Sequence, residues 1–92
     1  MFYYVYVVQS QKTSELYTGF SADLKIRLIT HNKGLVYSTK SAVPWELIFY
    51  EAYRHADDAK RREKYLKTSQ GSRLLKRMLK EYFYSKKLAS SM

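Results

Sequence analysis

The sequence contains no cysteine, one proline and three glycines, and its longest apolar run is the eight residues Met1–Val8. The absence of cysteine excludes a disulfide scaffold and a thiolate metal site, and two histidines are too few for a typical structural zinc site. The apolar run is far shorter than the roughly 20 residues of a membrane helix. It also lacks the basic segment and the cleavage site of a secretory signal. We therefore expect a cytoplasmic protein, either free or associated with the nucleoid.

Acidic residues are also scarce, with 8 Asp and Glu against 17 Lys and Arg, which gives a net charge of +9 on 92 residues. Such an excess indicates a polyanionic partner, in the first place nucleic acid and in the second an acidic membrane surface. The length allows one domain, and the apolar fraction of 46% is enough to fill its core. We assign this domain to residues 1–84 and expect residues 85–92 to form a frayed tail.

The pattern of apolar and β-forming residues predicts three strands and three helices. The strands are predicted over Phe2–Gln9, Glu15–Phe20 and Trp45–Tyr53. The helices are predicted from an N-cap at Ser21 to Asn32, over Asp57–Thr68, and over Arg73–Tyr84, with Ser69–Ser72 as the break before the last one. The order β-β-α-β-α-α predicts a small α+β (layered α/β) fold, in which helices cover a three-stranded antiparallel sheet.

The second predicted helix carries a carboxylate on the face that should pack against the sheet. With Ala59 at zero and about 100° per residue, Leu66 falls at about −20° and Glu63 at about +40°. Burial of a lone carboxylate is costly unless it is paired or binds a metal. Two interpretations remain open: an ion pair with one of the many cations, or a role as a metal ligand or catalytic group.

Two further features are ambiguous on their own. Arg27 and His31 lie one helical turn apart and share a face, which is also typical of a solvated basic edge. Tyr17 and Gly19 share one face of the second strand, as Tyr6 and its neighbour Tyr4 do on the first. Gly19 is unusual within a strand, because glycine weakens a strand unless another group must approach the backbone closely there.

Taken in order along the chain, these residues resemble the motifs of the GIY-YIG nuclease family. The resemblance is carried by the triplets Tyr4-Val5-Tyr6 and Tyr17-Thr18-Gly19 and by the segments YYVYVVQS, LYTGFSADLKIRL, HNKG, STK, PWELIFYEA and REKYLKT. It is closest to the small stand-alone bacterial branch related to the N-terminal domain of the UvrC excinuclease. Two positions depart from the motifs, because Tyr4 replaces the first glycine and Thr18 replaces the central isoleucine of the second triplet.

The resemblance implies a role for each matching residue. Tyr6 and Tyr17 match the motif tyrosines, Gly19 the motif glycine and Arg27 the family arginine. Glu63 matches the metal-binding glutamate. His31 matches a histidine that only some branches have.

The function implied by the resemblance is a Mg²⁺- or Mn²⁺-dependent endonuclease that cuts DNA with low sequence specificity, in repair or processing. Glu63 would hold the metal ion and Arg27 a phosphate oxygen. Tyr6 or Tyr17 would activate water, with Tyr6 preferred and His31 assisting. We expect the nearby cation and Arg27 together to lower the pKa of the phenol. The cations predicted to contact phosphates are Lys25, Lys33, Lys40, Lys60, Arg61, Arg62, Lys64 and Lys67.

Two other classes of function compete with the nuclease. A basic, tyrosine-rich sheet can stack single-stranded bases without cutting them, which would make the protein a non-catalytic nucleic-acid-binding module. A basic protein can also dock on another protein or on a membrane surface, although we predict no membrane partner. A chain of this length has no room for a separate recognition domain, so a nuclease of this size would either select DNA structure or depend on a targeting partner.

Overall fold

The elements follow each other in the order β-β-α-β-α-α-α in the computed structural model, which describes the backbone of residues 1–91 and the side chains of residues 1–89. The strands are β1 (Tyr3–Ser10), β2 (Leu16–Ser21) and β3 (Trp45–Tyr53). The helices are α1 (Leu24–Asn32), α2 (Ala56–Leu66), α3 (Ser69–Met78) and α4 (Lys80–Ser91), with a short 3-10 turn at Lys40–Ala42. The predicted α+β fold is confirmed. Within residues 1–91, no helix is long and apolar enough to cross a membrane.

The central strand of the sheet is β1, which runs antiparallel to β2 on one side and to β3 on the other. Four consecutive residues of β1, from Val5 to Val8, are fully buried, as expected for a strand covered on both faces. Toward α1, Tyr6 packs in one core cluster with Trp45. Toward α2, Val5 packs with Ala59 and Leu66. The strand order leaves β2 as an edge strand, and the candidate site described below lies beside it.

The start of α1 differs from the prediction. Its N-cap is Asp23, whose carboxylate accepts a hydrogen bond from the Ile26 amide at 3.1 Å. Ser21, the predicted N-cap, instead ends β2, and its hydroxyl accepts from the Asp23 amide at 2.9 Å. Serine and aspartate both cap helices, but here the serine hydroxyl closes the turn that leads from the strand to the helix.

The predicted break at Ser69–Ser72 is wrong, because these residues form the first turn of α3. Thr68 caps this helix by accepting from the Gly71 amide at 3.0 Å. The single helix predicted up to Tyr84 is divided into α3 and α4, which meet at Leu79. Residues 85–91, expected as a tail, lie in α4, and Met92 lies outside the described residues. The fraying of this segment and the domain boundary at residue 84 stay predictions.

Gly71 has a packing role that local sequence patterns do not reveal. A Cβ at this position would lie 2.6 Å from the Cα of Leu66 and would also overlap the backbone of Tyr65. The glycine is needed because α3 begins directly against the last turn of α2. Gly71 therefore allows α2 and α3 to pack closely against each other and does not interrupt a helix.

We expect Gly71→Ala to lower the free energy of unfolding by about 1–3 kcal/mol or more. The added methyl group would meet the backbone of α2, which cannot move aside as a flexible side chain can. Gln70→Ala is the matched control, since Gln70 is exposed in the same turn and its loss should cost less than about 0.5 kcal/mol. Urea denaturation of both variants measures the difference. Equal stability of the two variants would contradict the close contact.

Candidate active site

The site is built around the ring of Tyr6, which lies over Gly19. The two residues are directly opposite in the pairing of β1 with β2. A Cβ at Gly19 would lie 2.5 Å from Cζ and 2.8 Å from Cε1 of Tyr6 and would also overlap the phenolic oxygen. Tyr17 packs beside this pair, with its ring centroid 6.5 Å from that of Tyr6. The glycine in the strand therefore provides the space that the phenol occupies.

The phenolic oxygen of Tyr6 lies 2.7 Å from Nε2 of His31, which is completely buried. On the other side of the ring, Nδ1 lies 2.8 Å from the hydroxyl oxygen of Thr39. A solvated basic edge, the alternative weighed from sequence, is wrong for His31. Burial, with a smaller contribution from the charge of Arg27, lowers the pKa of His31 below its usual range. The ring is therefore neutral at pH 7 and has one donor and one acceptor nitrogen.

The hydrogen bonds of Thr39 indicate which nitrogen of His31 carries the proton. The Thr39 hydroxyl donates to the carbonyl of Val36 at 3.4 Å, so its oxygen accepts from Nδ1–H of His31. Nε2 of the neutral ring then accepts from the Tyr6 hydroxyl. Nε–H of Arg27 donates to the same phenolic oxygen at 3.2 Å. The hydrogen bond to Tyr6 is the main cause that raises the pKa of Arg27, and the nearby charge of Tyr17 adds to it.

The pKa of Tyr6 is raised above its usual range, so Arg27 by itself does not produce the lowered value expected from a bound cation and Arg27 together. Burial is the largest cause, since Tyr6 is only 1% exposed, and it outweighs the lowering effect of Arg27. The charges of Tyr17 and Glu63 raise the pKa further. Tyr6 therefore does not persist as a free phenolate near neutral pH. It can act as a base only if it passes its own proton on, and His31 Nε2 is in position to accept that proton.

Glu63 lies at the border of the packed face of α2, with its side chain 21% exposed. One carboxylate oxygen is 3.2 Å from Nζ of Lys67, one turn further along the helix. That lysine also lies 5.7 Å from the centroid of the Tyr17 ring. The ion pair foreseen as one alternative is therefore present, and it places the carboxylate at the edge of the tyrosine cluster.

The residues at this edge fit a divalent cation held by one carboxylate and several waters. In the described part of the chain, no group of three or more His, Cys, Asp or Glu could enclose a metal ion. A single carboxylate with water ligands is the coordination that Mg²⁺ accepts and that a site for softer metals does not use. Lys67 is 49% exposed, so exchanging its ion pair with Glu63 for a cation costs little, on the order of 1 kcal/mol or less.

The predicted phosphate-contacting cations divide into two groups. Arg62 donates to both carboxylate oxygens of Glu51, at 2.9 and 3.2 Å, in a half-buried pair. Burial alone would raise the pKa of the Glu51 carboxyl, but the hydrogen bonds from Arg62 and Tyr53 lower it below its usual range. Arg61 pairs with Asp58 at 2.7 Å. We therefore leave Arg62 out of the proposed phosphate-binding surface. The Arg61 side chain is 76% exposed, so its pair with Asp58 can be exchanged for a phosphate at little cost, as that of Lys67 can. The exposed side chains that remain are Lys25, Lys33, Lys40, Lys60, Arg61, Lys64 and Lys67.

Thr39 is 1% exposed and contacts the catalytic candidate His31, a role that the sequence did not predict. Its carbonyl also accepts from Nε1 of Trp45 at 2.9 Å. Asn32 binds the backbone of the same tryptophan, accepting from its amide at 2.6 Å and donating to its carbonyl at 2.9 Å. These bonds hold the end of α1 against the start of β3. A threonine in a polar loop gives no signal of such burial.

Comparison with known proteins identifies the family of this chain. Residues 2–78 match the family described as the GIY-YIG catalytic domain. The match covers most of the chain, which therefore belongs to the GIY-YIG family, and the family implies a nuclease-type catalytic domain.

The similar proteins are small members of this family. The chain is 38% identical over 76 residues to UPF0213 protein SH2523 of Staphylococcus haemolyticus, covering 80% of this chain and 90% of the relative. It is 41% identical over 68 residues to UPF0213 protein SERP0126 of Staphylococcus epidermidis, covering 72% and 80%. The solution NMR structure of UPF0213 protein BH0048 from Bacillus halodurans aligns with a TM-score of 0.54 and 25% identity over 85% of each chain. These names state no activity, so the reaction must be argued from the site.

Burial of a neutral His31 predicts how stability depends on pH. Because the pKa of His31 is lower in the folded state, the unfolded state binds more protons, and the free energy of unfolding falls as the pH drops below about 6.5. His31→Gln should remove this part of the slope, while exposed His55 stays in both proteins. Urea denaturation between about pH 5.5 and 7.5 measures it. Parallel profiles for wild type and variant would contradict a buried neutral ring.

Proposed function

We propose that this protein is a divalent-metal-dependent endonuclease that hydrolyses phosphodiester bonds in DNA with low sequence specificity, in repair or processing. The observation that carries the proposal is one cluster drawn from four elements. Tyr6 of β1, Tyr17 of β2, and Arg27 and His31 of α1 are in mutual contact, with Glu63 of α2 at their edge.

The Tyr6–His31 pair is the proposed general base. Tyr6 takes a proton from the attacking water while its own proton moves along the 2.7 Å hydrogen bond to Nε2 of His31. The water O–H bond breaks and the phenol O–H bond is restored. His31 becomes an imidazolium, whose Nδ1–H continues to donate its hydrogen bond to Thr39. Gly19 provides the space that the phenolic oxygen itself occupies. A neutral His31 is required for this transfer, and its lowered pKa maintains that state.

Arg27 and Glu63 have separate tasks in this scheme. The guanidinium of Arg27 is permanently charged and planar, so it can donate to a phosphate oxygen while Nε orients Tyr6. Glu63 would hold Mg²⁺ or Mn²⁺, which when bound polarises the phosphate and stabilises the leaving alkoxide. Tyr17, next to both His31 and Lys67, would orient the water or the phosphate.

The position of Glu63 favours catalysis over the alternative of a non-catalytic nucleic-acid-binding module. A carboxylate near a phosphate-binding surface repels phosphate unless a cation lies between them, so a pure binding surface gains no affinity from it. The exposed lysines would bind phosphates without distinguishing bases. We also propose that the protein acts on DNA in the cytoplasm, including the nucleoid. DNA structure or a targeting partner would supply selectivity.

Glu63→Gln should reduce cleavage of supercoiled plasmid in Mg²⁺ or Mn²⁺ by at least about 100-fold, because the several kcal/mol of charge stabilisation from the metal are lost. The same variant should lose Mn²⁺ binding in titration calorimetry. Glu81→Gln, which removes an exposed carboxylate from α4, is the matched control and should behave as wild type. If the Glu63→Gln protein cuts DNA and binds Mn²⁺ as wild type does, Glu63 is only the ion-pair partner of Lys67 and holds no metal ion.

The two tyrosines can be separated by conservative changes, since phenylalanine keeps each ring in place. Tyr6→Phe should lose about 100- to 10,000-fold in single-turnover cleavage rate, the usual loss for a general base. Tyr17→Phe should be milder, because only an orienting hydroxyl is removed. The reverse order of the two losses would assign the base to Tyr17. Full activity in both variants would exclude tyrosine from the proton transfer.

A further inference from the structure

A second surface feature lies between the start of β2 and the last two helices. This groove, of about 610 Å³, has an apolar floor and wall formed by Leu16, Phe83 and Tyr84 and a rim that includes Lys76, Lys80 and Lys87. Its position is fixed, because the hydroxyl of Tyr82 on α4 donates to the side-chain carbonyl of Gln9 on β1 at 2.5 Å. None of the cations predicted from sequence to contact phosphates lines it.

The chemistry of the groove is that of aromatic rings between cations. Tyr84 is 60% exposed, and Lys80 precedes it by one turn on the same side of α4. Lys76 approaches the groove from α3 and is also exposed. Among the described residues that line the groove, none carries a carboxylate. The groove is therefore positive along its rim and offers an exposed ring, which suits a polyanion with accessible flat bases.

A smaller pocket beside β2 lies between the groove and the candidate active site. It is lined by Leu16, Tyr17, Lys67 and Ser72 among others, and it shares Leu16 with the groove. At its other end, Tyr17 and Lys67 belong to the candidate active site. Because β2 is an edge strand, no further strand covers this path within the described residues. A chain molecule bound at the site can therefore continue into the groove.

We propose that the groove binds an unpaired stretch of a nucleic-acid strand that runs on from the candidate active site. The exposed ring of Tyr84, with Phe83 behind it, stacks a base, and Lys76 and Lys80 contact the adjacent phosphates. A duplex cannot use this surface in the same way, because its bases are stacked on each other. This inference rests on the proposed function for the nature of the substrate and deepens it, since it makes a single-stranded extension part of what is recognised.

Binding is measured first without metal, using fluorescence anisotropy of a labelled oligothymidylate in EDTA. Tyr84→Ala should bind at least about fivefold more weakly, the lower end of the loss for one stacked base, and Tyr84→Phe should bind as wild type does. The double variant Lys76→Gln/Lys80→Gln should lower the slope of log K against log salt by about 1.4, at about 0.7 for each phosphate contact on a single strand.

The double variant Lys12→Gln/Arg54→Gln is the charge-matched control, because it removes two cations that do not line the groove. It should weaken binding much less than the groove double variant. Thermal unfolding of each variant shows that the fold is kept, which is expected because the substituted side chains are exposed. Equal losses in the two double variants, or wild-type affinity in Tyr84→Ala, would overturn the inference. So would a Tyr84→Ala variant that changes only the oligomeric state in sedimentation, because the groove would then be a contact between copies of the chain.

Cleavage in Mg²⁺ distinguishes failure of this inference from failure of the proposed function. Wild type should prefer a duplex with a single-stranded overhang to the same duplex with blunt ends, and Tyr84→Ala should lose most of that preference. Cleavage by wild type with no effect of Tyr84→Ala on binding or preference would overturn the groove alone. Binding that depends on Tyr84, with no cleavage of either substrate, would overturn the nuclease and retain the groove.

Discussion

The buried hydrogen bond between the Tyr6 hydroxyl and Nε2 of His31 is the interaction on which the rest of the site depends. It forms only because Gly19 has no side chain to displace the phenol, and because Thr39 satisfies the other ring nitrogen. Loss of any member would leave a buried polar group without a partner, at a cost of about 1–3 kcal/mol. In the described part of the chain, every buried side-chain nitrogen and oxygen has a hydrogen-bond partner.

The same bond connects the protein's stability to its proposed chemistry. Burial keeps His31 neutral and makes free Tyr6 phenolate unfavourable. In the proposed mechanism the two groups therefore act as a pair, in which one proton is accepted as another is passed on. Thr39 favours this direction of transfer, because its hydroxyl donates to Val36 and its oxygen accepts from Nδ1–H, which leaves Nε2 as the acceptor. Packing around the sheet thus determines which protonation states are available at the site.

Local periodicity explains which parts of this arrangement could be predicted from sequence. The prediction of the strand over Trp45–Tyr53 matches both of its ends. Glu63 was predicted near the packed face of its helix, where it lies. Both predictions follow from the repeat of two residues in a strand and of 3.6 in a helix. Contacts between distant segments gave no such signal. Thr39 lies in a loop without periodicity, and Gly71 matches a helix break until its contact with α2 is seen. The sequence also provided no signal that burial would raise the pKa of Tyr6 against the effect of Arg27, because burial is a tertiary property.

The most direct test of the central interaction is the tautomer of His31, measured by long-range ¹H–¹⁵N correlation NMR at neutral and mildly acidic pH. We predict a neutral ring with its proton on Nδ1, an unprotonated Nε2, and persistence of this state below the usual pKa of histidine, about 6.5. Tyr6→Phe, which removes the hydroxyl donor, should shift the Nε2 resonance and leave Nδ1 protonated. A proton on Nε2, or an imidazolium already at neutral pH, would contradict the proposed base.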